Sequence, residues 1–167
     1  MRRALPTALV LALLTPAVLA GDPADEKKWL DEKTWPAFVA PRRLDVKEKD
    51  DAVAKLLKER FNAGQQELGE RYILWLQGIG TLDQVYETAR RVVSARLEVV
   101  DLPGDRVRVL KEKVEFAKVV EKQAAALQEK HRRALNGADV PCAKYFRLDA
   151  EVELRRAERA AKQRLDK

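Results

Sequence analysis

The stretch DDAVAKLLKERFNAGQQELGERYILWLQGIG, residues 50–80, decides the fold class. Its apolar or small positions are Val53, Leu57, Phe61, Gly64, Leu68, Tyr72, Trp75 and Ile79, at spacings of 4, 4, 3, 4, 4, 3 and 4. Such spacing lays one stripe along an α-helix, and its eleven-residue recurrence keeps the stripe nearly straight. Asp50 or Asp51 is placed to cap the first turn, because a short side-chain oxygen accepts from a free helix N–H. A helix over 51–77 would run about 40 Å at 1.5 Å per residue. Gly78-Ile79-Gly80 ends it.

Downstream the pattern repeats. Thr81 or Asp83 can cap a helix over 82–100, whose stripe is Leu82, Val85 or Tyr86, Ala89, Val92 or Val93, Arg96, and Val99 or Val100. The turn Asp101-Leu102-Pro103-Gly104-Asp105 follows, with Asp105 as cap of a helix over 106–135. That helix carries Val107, Leu110, Val114, Ala117, Val120, Ala124, Leu127, His131 and Leu135. Asn136-Gly137 stops it, and Asp139 caps a last helix over 140–164, with Pro141 in its first turn and an inward face of Tyr145, Leu148 and Val152. Short connections make neighbours antiparallel, so the expected fold is all-α: antiparallel helical hairpins in an up-down four-helix coiled-coil bundle, domain 50–167. Glu115/Lys118, Glu151/Arg155 and Glu158/Lys162 are spaced to pair along solvated faces.

Upstream, Arg2-Arg3 precede an uncharged run, Ala4 to Ala20, whose apolar centre is Leu9-Val10-Leu11-Ala12-Leu13-Leu14. A charged start, a short apolar region and small residues at its end describe a secretory signal peptide over 1–20. Residues 21–49 read as an irregular leader with Pro23, Pro36 and Pro41, either solvated with Trp29 and Trp35 packed loosely on the domain or a docking segment that uses them. No other stretch holds the roughly 18 uncharged apolar residues of a spanning helix. Composition narrows the chemistry. One Cys among 167 residues excludes a disulfide framework and any CxxC site, and one His excludes a multi-histidine metal centre.

The two glycine turns sit in similar surroundings: Tyr72-Ile73-Leu74-Trp75-Leu76-Gln77-Gly78-Ile79-Gly80-Thr81-Leu82-Asp83-Gln84-Val85 and Asn136-Gly137-Ala138-Asp139-Val140-Pro141-Cys142-Ala143. Each joins a helix to an Asp-containing helix start. This resembles the TolC family of outer-membrane efflux proteins over roughly residues 50–162, in the helical hairpin portion only. The resemblance implies a periplasmic coiled coil whose hairpin tips dock on an envelope adaptor. By the same resemblance Gly78, Gly80, Thr81 and Asp83 form one tip, and Asn136, Gly137 and Asp139 the other. No ten-residue alternating strand occurs in the chain, so no barrel pore is implied.

Few residues could carry catalysis. Ser94, the only serine, lies mid-helix between Val93 and Ala95 without a glycine elbow. His131 falls near a helix C-terminus, where a histidine suits the dipole. Cys142, in a first helical turn, is open to a lowered thiol pKa, to a filler role, or to an intermolecular disulfide. Many carboxylates lie beside Lys or Arg, and none is expected to be set up for acid–base work. No enzyme activity, cofactor or metal is expected, and export argues against nucleic acid. The function expected is helix-mediated association, with itself or with an envelope partner, in the periplasm or cell envelope, peripheral to the outer membrane. The alternative is a small periplasmic chaperone-like or stress-binding protein that holds clients on a basic concave face.

Overall fold

The computed structural model describes residues 35–40, 42–100, 102–130 and 138–165. Four helices follow one another: α1 (Ala52–Leu76), α2 (Leu82–Val99), α3 (Pro103–Lys130) and α4 (Asp139–Leu165). No strand occurs among the described residues, and the chain is an all-α helical bundle. The signal peptide expected over 1–20, the leader before residue 35, His131, Asn136 and Gly137 lie outside the described residues.

Local chemistry sets the helix starts. Asp51 caps α1, its Oδ1 accepting from Ala54 N–H at 2.8 Å. Thr81 caps α2 in a capping box, with the Gln84 side chain accepting in return from Thr81 N–H. The third helix starts earlier than its sequence indicates. Pro103 takes the first position, where a missing N–H costs nothing, so Asp105 lies inside the first turn instead of capping it. Asp139 likewise sits within the first turn of α4, where the helix dipole favours its charge.

The hairpins α1–α2 and α3–α4 make the closest backbone contacts, and α2 also touches α3 and α4. One core joins them, built on Phe61, Leu68, Tyr72, Trp75, Val85, Val92, Phe116, Val120 and Phe146. The backbones of α1 and α3 do not approach one another closely. Large side chains fill that side, and so does the segment at residues 35–40. Phe38 stacks on Phe116 at 5.0 Å, Val39 is buried, and Gln65 Nε2 donates to the Phe38 carbonyl at 2.8 Å. Residues 38 and 39 of the expected leader thus belong to the core, because an interhelical gap too wide for backbone contact needs aromatic volume to fill it; Trp35 is partly buried, and Trp29 lies outside the described residues.

In the apolar stripe of α1, Phe61, Leu68, Tyr72 and Trp75 are buried, but Val53 is 66% and Ile79 73% exposed. The pairs Arg60–Glu98 and Arg91–Glu67 set the α1–α2 register, so the first turns of α1 run past the end of α2. On α4 the expected inward residues Tyr145, Leu148 and Val152 are exposed, and Ala143, Phe146 and Ala150 are buried instead. Small alanines let α4 approach α3 closely, and Phe146 then meets Tyr86 at 4.5 Å and Phe116 at 5.9 Å. Arg96, the charged member of the α2 stripe, is satisfied by Glu112 at 2.6 Å, and Arg42 reaches the same carboxylate. Lys118 pairs with Glu115 as spaced, but Glu151 takes Arg147, leaving Arg155 to Glu158.

Candidate functional site

The turn after α1 is built from backbone bonds. Gly78 adopts φ 72°, and the N–H groups of Gly78 and Ile79 donate to the carbonyls of Trp75 and Leu74. This is a Schellman closure, for which a left-handed glycine is the low-cost residue. It leaves Ile79 projecting at the apex, and Thr81 starts α2 directly after Gly80.

The fold brings the first expected tip beside the start of α4. Cys142 Sγ donates to Asp83 Oδ1 at 3.3 Å, so Asp83, Cys142 and Asp139 share one end of the bundle with Gly78, Gly80 and Thr81. Burial, then the bond to Asp83 and the charges of Asp83 and Asp139, push the Cys142 thiol up to about 11. The lowering open to Cys142 on the sequence is therefore reversed: burial, and after it the two carboxylates, disfavour the thiolate. Asn136 and Gly137, the rest of the second expected tip, lie outside the described residues.

A second constellation lies between α2, α3 and α4, where sequence reading placed nothing. Lys113 is 1% exposed, with Nζ 2.8 Å from Glu153 Oε2 and 3.6 Å from Asp149 Oδ2. Asp149 also accepts from Tyr86 Oη at 2.8 Å; burial, and then this bond, raise the Tyr86 phenol. The cluster borders an open groove of about 400 Å³, with Val93, Leu97 and Leu110 on its floor and Arg90, Ser94 and Arg156 around it. Ser94 is exposed and shares a hydrogen bond with Glu98 at 3.4 Å. The signal for Lys113 was present in the sequence. Val109, Lys113, Phe116 and Val120 recur at 4, 3 and 4, one helical row in which only the lysine is polar, and all four are buried.

What the described residues define is the class: an all-α bundle with an apolar turn apex at one end and a charged groove along its side. No protein-family model, curated protein or solved structure matches the chain.

Proposed function

We propose that this chain is a non-enzymatic, exported helical protein of the cell envelope that acts by association through the Gly78–Asp83 end of its bundle, with a second copy or with an envelope partner. The observation that supports this reading most is Ile79, 73% exposed at the apex of a turn held by backbone hydrogen bonds. A large apolar side chain offered on a rigid turn costs little ordering entropy when it enters a partner's pocket. The efflux form of the proposal, docking on an adaptor hairpin, rests on the TolC-family resemblance and concerns the helical portion alone. The test compares the parent with Ile79→Asp and Asp83→Arg by sedimentation equilibrium and by co-purification with envelope membranes. The parent should form a complex that each variant weakens at least about tenfold, the loss of one interface anchor. A parent that stays monomeric and leaves the membranes unaccompanied sinks the proposal.

The groove favours a second, chaperone-like reading. Arg90 and Arg156 beside Val93, Leu97 and Leu110 form a basic edge on an apolar floor, suited to an unfolded client. Salt-sensitive suppression of client aggregation, lost in Arg90→Glu/Arg156→Glu, is the expected result. Equal protection by that variant removes this reading.

A further inference from the structure

The charge of this chain is unevenly placed. Residues 155–167 hold six Lys/Arg against two Asp/Glu, a net +4. Residues 21–154 hold 25 of each and are neutral, and Arg2 and Arg3 make up the remaining +2. The net positive charge after residue 20 thus sits in the last thirteen positions, most of them on α4.

On α4 those cations continue an apolar row. Tyr145, Leu148, Val152, Arg155, Arg159 and Lys162 recur at 3, 4, 3, 4 and 3, which places them on one side of the helix. Every one of them is exposed. The inner side of the same helix is the one that carries Phe146 and Ala150 into the core, so the outer row is free of the bundle. Among the described residues, Arg159 and Lys162 have no ion-pair partner, and Arg155 has only Glu158. From Tyr145 to Lys162 the row is about 26 Å long at 1.5 Å per residue. Midway along it, Arg155 also borders a groove shared with Lys111, Val114, Glu115 and Lys118 of α3.

We propose that the solvent face of α4, from Tyr145 to Lys162, binds the surface of anionic phospholipid bilayers. Tyr145, Leu148 and Val152 enter the headgroup boundary, where an aromatic ring with a hydroxyl is at home, and the long stems of Arg155, Arg159 and Lys162 deliver cations to the phosphates. Neither set suffices alone. Three side chains bury too little for firm insertion, and three cations without an apolar contact are displaced by salt. The helix lies on the bilayer and does not cross it: no described helix is long and apolar enough to span a membrane. This surface shares no residue with the Gly78–Asp83 end, so it stands or falls apart from the association proposed there.

The experiment is co-sedimentation of the purified protein with vesicles of phosphatidylcholine alone and of phosphatidylcholine mixed with phosphatidylglycerol. Binding should require phosphatidylglycerol and fall at high salt, where screening shortens to about 3 Å at 1 M. Arg155→Glu/Arg159→Glu/Lys162→Glu should lose at least about a hundredfold in partition, given roughly fivefold per cation near such a surface. Leu148→Ser/Val152→Ser should lose about tenfold with all charges kept. These positions are exposed, so helical circular dichroism should be unchanged, and the second pair supplies a test should the first fail to fold. Equal binding to both vesicles, no vesicle binding, or unaltered binding by both folded variants overturns the proposal. So does preferential capture of single-stranded DNA, which would make the cations a nucleic-acid contact.

Discussion

Lys113 on α3 donates to Glu153 on α4 at 2.8 Å from a side chain that is only 1% exposed. A buried ammonium is costly without its partners, whereas both carboxylates keep some access to water. The double change Asp149→Asn/Glu153→Gln should therefore cost about 3 kcal/mol or more, since it strands the charge. Lys113→Met removes the charge instead and should stay within about 1 kcal/mol of the parent, or exceed it. Urea midpoints at unchanged m decide between them, and a Lys113→Met loss equal to the double variant's would refute this account.

Phe38 lies outside the four helices, yet it stacks on Phe116 and its carbonyl holds Gln65. Phe38→Ala should destabilise the bundle by roughly 3 kcal/mol, the usual cost of deleting a buried ring. Val46→Ala, at a nearby exposed position, should stay within about 0.5 kcal/mol. Equal small effects in thermal or urea unfolding would mean that residues 35–40 do not belong to the cooperative unit.

Gly78 and Gly80 resist substitution for different reasons. A Cβ on Gly78 meets open space, so Gly78→Ala costs only the left-handed backbone, about 1–2 kcal/mol, and Gly78→Asn should recover part of it. At Gly80 a Cβ would stand 3.2 Å from both Leu74 Cβ and the Trp75 backbone nitrogen. Gly80→Ala must shift the end of α1, and Asn offers no rescue. Similar behaviour of the two Asn variants in unfolding experiments contradicts this distinction.

Acid should weaken the α2–α3 contact through Glu112. Burial by itself raises this carboxyl, but the Arg96 hydrogen bond and charge, with Arg42 behind them, outweigh it and hold the group below its ordinary value. A carboxylate lowered on folding contributes stability that is complete above its unfolded value and is lost as pH falls through the folded one. Urea midpoints followed from neutral pH to about pH 3 should decline less steeply in Glu112→Gln than in the parent. Parallel curves would show that Glu112 carries no linkage.

Cys142 should be a sluggish thiol. With its pKa at about 11, it alkylates roughly a hundredfold more slowly than a free cysteine near pH 8. Asp83→Asn removes the acceptor and one charge and should speed alkylation, though only in part, because burial is the larger cause. In urea both proteins should react alike. Fast alkylation of the folded parent, or no response to Asp83→Asn, disproves the contact.

Helix existence was legible in the residues themselves. Apolar spacing over 53–75, Asp51 and Thr81 as caps, and Gly78 as a reversal all act within a few residues of chain, so no tertiary context is needed to read them. Which side of a helix turns inward is a different kind of question. On α4 the larger apolar residues Tyr145, Leu148 and Val152 pointed one way, yet the close approach to α3 selected Ala143, Phe146 and Ala150. Lys113 and Phe38 follow the same logic: one is buried because two carboxylates from another helix meet it, the other because α1 and α3 leave a gap. Sequence by itself determined helices, caps and turns, because these depend on local sterics and hydrogen bonding. Only the tertiary structure decided the partners of the buried lysine, the packed leader segment and the exposed row on α4, because packing compares volumes and charges from residues far apart in the chain.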